Sequence, residues 1–232
     1  MPPEPAADAA LTAIRVWDLP TRLFHWTLAA ALVALVVTAH VGGAAMPWHF
    51  RLGYVVFGLL LFRLLWGFVG GHWSRFSRFV YGSSTVFRYL RGQGRADEHL
   101  DVGHNPLGAL SVFALLGLLC VQVATGLVAD DEIASTGPLN RFVSSRVAGK
   151  ASYWHADVGQ WIIIGLVILH IGAVTFHLLR HRNNLIRPMI VGDKALPAAT
   201  PATRDSAATR WLALLLAGLC AGLVSWIVSL GN

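Results

Sequence analysis

The sequence predicts an all-α integral membrane protein, a four-helix transmembrane bundle followed by a fifth, C-terminal transmembrane helix. Three observations support this fold class. Of the 232 residues, 55% are hydrophobic and only 13% are charged, a composition typical of membrane proteins. Five apolar stretches are long enough to cross a hydrocarbon core about 30 Å thick. Arginine and lysine are concentrated on one side of these stretches, as the positive-inside rule requires.

The five predicted spans lie at about residues 23–41, 52–70, 106–128, 156–179 and 211–230. The units we expect are a disordered tail at 1–14, the four-helix membrane domain at 15–191, a flexible Pro/Ala/Thr-rich linker at 192–209 and the fifth helix at 210–232. The fifth span contains neither histidine nor charge. We therefore assign it no chemistry and expect it to pack outside the four-helix bundle.

Positive charge is distributed unequally between the two ends of the spans. Lys and Arg accumulate before span one, between spans two and three, and between spans four and five: Arg15, Arg22, Arg75, Arg78, Arg88, Arg91, Arg95, Arg180, Arg182, Arg187, Lys194, Arg204 and Arg210. This asymmetry predicts a cytoplasmic N-terminus and a periplasmic C-terminus. The formal net charge of +6 then follows from topology and from contact with anionic membrane lipid, so no nucleic-acid partner is needed to explain it.

Four histidines fall at two depths of the predicted bundle. His25 lies one turn into span one, and His170 lies in the same, cytoplasmic half of span four. His49 enters span two at the outer surface, where His155 begins span four. Ionisable groups inside a membrane are costly and usually face a bundle interior, where they hold a bound group or line a pathway. Two imidazole pairs at two depths meet the axial-ligand requirement of two b-type haems.

Other residues suit the same interpretation. Arg63 lies in the inner half of span two, where it must reach the interface or pair with an anion such as a carboxylate of a bound cofactor. Arg51, two residues after His49, is either a similar contact at the outer surface or a lipid anchor. Small residues would make room for a porphyrin: Gly53, Gly58, Gly159, Gly165 and Gly172. The chain has no C-x-x-C-H motif, so the haem would be non-covalent.

The residues resemble the bacterial cytochrome b561 family, a cytochrome b/b6-like group related to the b-type subunits of nickel-iron hydrogenase. The resemblance covers about residues 15–194 and rests on these motifs: F-H-W at 24–26, His49 followed by Gly53 and Arg63, GHNPLGAL at 103–110, TGLVADDE at 125–132, W-H at 154–155, and LHIGAVTFH followed by NNLIRPMI. The order and depth of these motifs together carry the resemblance.

The resemblance implies two haem b groups ligated from helices one, two and four. His25 and His170 would hold the inner haem, and the second pair, His49 and His155, would hold the outer one. Family members usually separate the two ligands on helix four by about thirteen or fourteen residues, whereas this sequence separates them by fifteen. The extra residue predicts a local bulge or a shifted outer ligand, with His40 as the alternative to His155.

The family also implies a quinone, ubiquinone or menaquinone, as the electron-exchange substrate. His177, seven residues after His170, and His104, at the start of span three, are candidates together with Arg63 for contact with the quinone or with a haem propionate. For both histidines the alternative is an ordinary interfacial residue. The protein would reside in the bacterial inner membrane.

Three functions remain open. The first is transmembrane electron transfer in a respiratory chain, between the quinone pool and a periplasmic partner such as a c-type cytochrome, a dehydrogenase or a hydrogenase module. The second is a stand-alone superoxide:quinone oxidoreductase. The third is a non-redox membrane scaffold or transporter with incidental histidines. Quinone-linked oxidoreductase activity follows from the second and is compatible with the first, and this chain carries no catalytic domain of its own.

Overall fold

The structure, a computed structural model, describes residues 11–95, 98–131 and 135–231. Its elements follow the order β1 (Leu11–Arg15), α1 (Leu19–Val41), α2 (Met46–Val69), α3 (Ser83–Leu90), α4 (Pro106–Val128), α5 (Ser145–Tyr153), α6 (Gln160–Arg180), α7 (Ile186–Val191), β2 (Asp193–Pro197) and α8 (Ala207–Ser229). Between α5 and α6 a π-helical turn, Trp154–Gly159, continues the helix without a break; we call this turn the π-bulge. Within the described residues, five helical segments are long and apolar enough to cross a membrane.

The spans begin and end where local chemistry requires. Asp18 caps α1 by accepting a hydrogen bond from the Thr21 amide at 2.8 Å, and Asn105 caps α4 through the Gly108 amide at 2.7 Å. Proline occupies the first turn of α1, α2 and α4, where its missing N–H costs nothing. Gly42 ends α1 with a φ of +62°, a conformation that favours glycine. The chain can therefore reverse direction sharply before α2.

The helices pack around one apolar core. α1 packs on α2, α2 on α4, and α4 on both α5 and α6. Buried side chains from five helices meet in this core: Phe24, Ala31, Val56, Leu60, Phe62, Trp66, Leu116, Leu119, Ile163, Ala213 and Cys220. α8 lies against α2 and α1, and Val224 lies 3.9 Å from the position that a Cβ on Gly58 would take. The fifth span thus covers the side of α2, and no histidine enters the bundle from it.

The tail and linker expected from the sequence differ from the structure. Residues 11–14 belong to β1, which pairs antiparallel with β2 in the register Leu11↔Pro197 to Arg15↔Asp193. The segment after β2 is also tied down, because Trp73 donates a hydrogen bond from Nε1 to the Pro201 carbonyl at 2.8 Å. Pairing satisfies backbone groups that a free tail would leave to water. Expectations for residues 1–10 and 232 lie outside the described residues, and the unit boundaries stay predictions.

The two strands, residues 70–95 and residues 98–105 lie at the end of the bundle where α1 begins; we call it the arginine-rich end, and the other the opposite end. At this end the carboxylate of Asp18 is fully buried. It accepts hydrogen bonds from Trp66 Nε1 (3.2 Å), the Gly71 amide (3.1 Å) and Ser74 Oγ (2.9 Å), in addition to the Thr21 amide. One carboxylate thereby joins the start of α1 to the end of α2.

A second carboxylate, that of Asp205, joins the approach to α8 to the first strand. It accepts hydrogen bonds from Arg15 Nη1 at 2.7 Å and Arg210 Nε at 3.0 Å, and Arg22 Nη2 lies 3.9 Å away. Burial acts to raise the pKa of Asp205, but the hydrogen bond and charge of Arg210, together with hydrogen bonds from the Leu19 backbone and from Arg15, hold this pKa below its ordinary value. Its ionised form therefore stabilises the folded state.

We expect Asp205→Asn to lower the free energy of unfolding by about 2 kcal/mol at neutral pH. A carboxyl group whose pKa is lower in the folded than in the unfolded state stabilises the fold above the unfolded pKa, and this stabilisation is lost as pH falls through the folded pKa. The difference between wild type and variant should therefore shrink below about pH 4. Unfolding in detergent micelles between pH 3 and 7 measures it.

Asp193→Asn is the matched control, because the Asp193 carboxylate is 36% exposed and bonds only to Arg15 among the described ion pairs. Asp193→Asn should lower the free energy of unfolding by less than Asp205→Asn at every pH, since an exposed ion pair contributes little to stability. A constant difference between wild type and Asp205→Asn over the whole range would contradict the assignment.

Candidate functional site

The first imidazole pair lies toward the arginine-rich end. His25 on α1 and His170 on α6 face each other with ring centroids 6.5 Å apart and ring planes inclined by 53°. Both side chains are half-buried, and Nδ1 of His25 is buried without a hydrogen-bond partner. The two histidines are 145 residues apart in sequence, so only the antiparallel packing of the bundle brings them together.

The second pair lies at the opposite end. His49 on α2 and His155 in the π-bulge have ring centroids 6.1 Å apart and planes inclined by 87°. Nδ1 of His49 lies 3.1 Å from the Leu35 carbonyl, and Nδ1 of His155 lies 2.9 Å from the Gln122 carbonyl. A carbonyl can only accept, so each Nδ1 carries the proton. Each Nε2 is then free to bind a metal, with the ring orientation held by the other nitrogen.

The spacing of both pairs can be compared with that of axial haem ligands. A metal–imidazole nitrogen bond is about 2.0 Å, and the ring nitrogen lies roughly 1.1 Å from the ring centre. Two imidazoles on opposite sides of one metal ion therefore have centres about 6.2 Å apart. The observed 6.5 Å and 6.1 Å bracket this value. Among the described residues, no cluster of three or more His, Cys, Asp or Glu side chains is arranged for a metal ion alone.

The fifteen-residue spacing on the fourth span is accommodated by the π-bulge. A π-turn inserts one residue into an α-helix and shifts the register of everything before it. His155 is the second residue of this turn and faces His49. The predicted local bulge is therefore present. His40, the alternative outer residue, is exposed and packs its ring edge-on against Trp161, with centroids 6.1 Å apart.

The glycines predicted to make room divide into two groups. At Gly53, Gly165 and Gly172 a Cβ would meet no atom within 4 Å, so these positions border open space. Gly58 instead faces α8, and Gly159 is enclosed by Gln122 and Trp154. The interpretation as room for a porphyrin therefore does not hold for these last two positions. Their role is close packing between helices.

Arg63 and His104 lie near the pair at the arginine-rich end. Arg63 is only 3% exposed; its guanidinium stacks on the Phe76 ring at 4.7 Å, and its Nη1 is buried with no hydrogen-bond partner. His104 packs against Phe79 with centroids 4.5 Å apart, and its Nδ1 is also buried and unpartnered. Burial, followed by the charge of Arg63, lowers the pKa of His104 to about 3. The His104 ring is therefore neutral at physiological pH.

The remaining predicted residues are elsewhere. Arg51 is exposed at the opposite end, with its guanidinium 5.0 Å from the Trp48 ring centre, which fits a lipid anchor. His177 lies beside His181, with ring centroids 5.3 Å apart, on one wall of a 480 Å³ cleft at the arginine-rich end. The other lining residues are Tyr89, Asp101, Asn183, Lys194 and Leu196. His177 therefore lines a cleft whose lining residues include none of the four paired histidines.

Two residues of structural importance were not predicted from the sequence. Gln122 contacts His155 through both its backbone and its side chain. Its one visible signal was polarity within an otherwise apolar span, which marks a functional position in a membrane helix. The second residue is Asp18: its position directly before Leu19 and Pro20 is a local signal for a helix cap, but its bonds to Trp66, Gly71 and Ser74 join distant parts of the chain and have no local signal.

Comparisons with known proteins identify a family for this chain. The family described as prokaryotic cytochrome b561 matches residues 16–192. A protein of Cupriavidus necator named "Probable Ni/Fe-hydrogenase B-type cytochrome subunit" is 28% identical over 218 residues, covering 81% of this chain and 89% of that protein. A protein of the same name from Bradyrhizobium diazoefficiens is 24% identical over 216 residues, covering 78% and 85%. The "Probable Ni/Fe-hydrogenase 1 B-type cytochrome subunit" of Escherichia coli K12 is 25% identical over 194 residues, covering 67% and 80%. The matched segment contains all four paired histidines.

Proposed function

The chain belongs to the prokaryotic cytochrome b561 family, and we propose that it binds two haem b groups and carries electrons across the bacterial inner membrane between the quinone pool and a periplasmic redox partner. One haem would be held by His25 and His170. The other would be held by His49 and His155. Membership of a cytochrome family argues against the alternative of a non-redox scaffold or transporter.

The observation that carries this proposal is the presence of two imidazole pairs, one near each end of the same apolar bundle. Both pairs have the centre-to-centre spacing of axial ligands. α6 supplies one member of the first pair, and the π-bulge that continues into α6 supplies one member of the second. One continuous helix would thus set the separation of the two haems, at about 1.5 Å per residue.

Haem b supplies an iron that changes oxidation state by one electron. The protein would hold each haem with two imidazoles, and a haem held in this way would supply one-electron transfer rather than oxygen activation. The apolar core lowers the local dielectric constant, and the Nδ1 hydrogen bonds of His49 and His155 hold the ring orientations and increase ligand basicity. These features suit electron transfer rather than oxygen chemistry.

Arg63 and His104 are suited to the propionate groups of the inner haem. A buried guanidinium with an unpartnered Nη1 needs an anionic acceptor, and a propionate carboxylate is one. Neutral His104 would add a hydrogen bond rather than an ion pair, because its pKa is held at about 3. The carboxylate of Asp18 already accepts hydrogen bonds from four other groups.

The cleft beside His177 is suited to the quinone. A quinol must release protons as it releases electrons, and an imidazole is the side chain that accepts a proton near neutral pH. Two imidazoles, His177 and His181, share one wall of the cleft, and Tyr89 supplies a hydroxyl. His177 follows His170 by two helical turns, so the quinone would lie near the inner haem.

The distribution of positive charge supports the membrane orientation, and the related proteins suggest a redox partner. The arginine-rich end would face the cytoplasm, with the C-terminus periplasmic. The related proteins are named as hydrogenase cytochrome subunits, so a hydrogenase or another dehydrogenase module is the first choice of partner at the opposite end. A c-type cytochrome is the second choice. Arg51 would then anchor this end to lipid beside the outer haem.

Spectroscopy of the purified protein tests the proposal. A dithionite-reduced minus oxidised spectrum should show a b-type α-band, and pyridine haemochrome quantitation should give two haems per chain. A value near one would contradict the two-pair assignment. Absence of the b-type band would contradict the whole proposal.

Quinone reduction by superoxide separates the proposed function from that of a stand-alone superoxide:quinone oxidoreductase. The assay uses xanthine oxidase as the superoxide source and a short-chain ubiquinone, in the purified protein without a partner. We expect no quinol formation above the uncatalysed rate, and quinol oxidation only when a one-electron acceptor is added. Superoxide-dependent quinol formation that requires the haem-loaded protein would favour the stand-alone enzyme.

A further inference from the structure

Two glutamine amides hold the π-bulge. Gln122 on α4 donates a hydrogen bond from Nε2 to the His155 carbonyl at 2.8 Å, and Gln160 donates from Nε2 to the Ala156 carbonyl. A π-turn takes backbone groups out of the regular α-helical ladder, and such groups need other partners. The two amides thus bond two consecutive carbonyls of the bulge. They differ in one respect, because Gln160 belongs to the same helix whereas Gln122 reaches across from α4.

The contact between Gln122 and His155 runs in both directions. His155 donates from Nδ1 to the Gln122 carbonyl at 2.9 Å, while the Gln122 side chain donates to the His155 carbonyl. The first bond sets the tautomer and orientation of the ring. The second holds the backbone from which the ring projects. A single residue of α4 therefore positions both the ring and the backbone of His155.

Close packing leaves the His155 ring little room to move. A Cβ at Gly126, one turn further along α4, would lie 2.6 Å from Cε1 of His155. A Cβ at Gly159 would collide with the Gln122 side chain and lie 2.7 Å from Nε1 of Trp154. The bulge is thus pressed against α4 at two glycines. Any side chain in place of either one would displace the ring or the amide that holds it.

We propose that Gln122 is a positioning residue for the outer haem. It locks the π-bulge to α4 and so directs Nε2 of His155 toward His49, in a helix whose ligand spacing would otherwise be out of register. This role rests on the proposed function, because it requires His155 to be an axial ligand. Gln122 itself does not touch the haem iron; it acts through His155.

The test replaces the amide while keeping the shape of the side chain. Gln122→Met removes the hydrogen bond to the His155 carbonyl and retains the backbone bond to Nδ1. Loss of a group that orients a metal ligand typically weakens metal binding 10- to 100-fold. We therefore expect the outer haem to transfer to apomyoglobin about 10 to 100 times faster, and its midpoint potential to shift, with the inner haem unchanged. Gln122→Leu repeats the test if the methionine variant folds poorly.

Gln160→Met is the matched control, since it removes the other amide from the same bulge without breaking a contact between helices. It should leave the rate of outer-haem transfer close to that of the wild type. An equal effect of the two variants, or a wild-type rate and potential in Gln122→Met, would overturn the assignment to Gln122.

His155→Ala separates this inference from the proposed function. The outer haem is identified as the signal that this variant loses. If His155→Ala retains both haems, the proposed ligand set is wrong. If it loses one haem while Gln122→Met behaves as wild type, the ligand set stands and only the role of Gln122 is wrong.

Discussion

Replacing His170 by alanine should halve the haem content of the protein, with loss of the inner haem and retention of the outer one. His170 faces His25 at 6.5 Å, and the proposed ligand set gives it no role at the other pair. With one imidazole of the pair removed, His25 alone would hold the inner haem much more weakly. Pyridine haemochrome quantitation should therefore fall from two haems to one per chain, and a redox titration should lose one of its two components.

His40→Ala is the control for this experiment. His40 is exposed and packs on Trp161 rather than facing another imidazole, so both haems should remain. Retention of two haems in His170→Ala would show that the pairing on α1 and α6 is wrong. Loss of a haem in His40→Ala would instead make His40 a ligand in place of His155.

Replacing Asp18 by alanine should lower the free energy of unfolding by about 4 kcal/mol, although the residue touches neither histidine pair. The carboxylate is fully buried and accepts bonds from the Thr21 and Gly71 amides, Trp66 Nε1 and Ser74 Oγ. Its removal takes away a helix cap and leaves several buried donors unsatisfied, each at a cost of roughly 1–3 kcal/mol. Chemical unfolding in detergent micelles, followed by circular dichroism, measures the loss.

Asp18→Asn refines the same prediction. The amide keeps an oxygen to cap α1 at Thr21, but its NH₂ group would face the Gly71 amide and the Ser74 hydroxyl, so about half of the loss is expected. Haem content should stay at two in the fraction that folds. An unfolding free energy for Asp18→Ala within 1 kcal/mol of the wild type would mean that the joint between α1 and α2 is held by other contacts.

Much of the fold was predictable because its signals are local. The predicted spans at 23–41, 52–70, 106–128, 156–179 and 211–230 overlap the five helical segments, and the main differences are earlier starts. The first span begins at Leu19 because Asp18 and Pro20 define a cap and a first turn. The second begins at Met46 rather than near residue 52, because Pro47 is tolerated in the first turn of a helix.

The strands and the ordered linker were not predictable in the same way. β1 and β2 are separated by about 180 residues. The sequence of β1 resembles that of a short tail, and the sequence of β2 resembles that of a Pro/Ala/Thr-rich linker. Each strand is stable only because the bundle brings the other beside it. The same reason applies to Asp205, whose partners Arg15 and Arg210 come from opposite ends of the sequence.

The sequence by itself determined the membrane class, the five spans, the charge asymmetry and the two depths of the histidines, because hydrophobic length and helical rise act residue by residue. The tertiary structure decided between the alternatives that the sequence left open: His155 rather than His40 lies opposite His49, and a π-bulge absorbs the fifteen-residue spacing. It also brought Gln122 into contact with His155. These outcomes depend on helix rotation and on contacts between distant segments. Such contacts form only when the helices pack, and no local pattern records them.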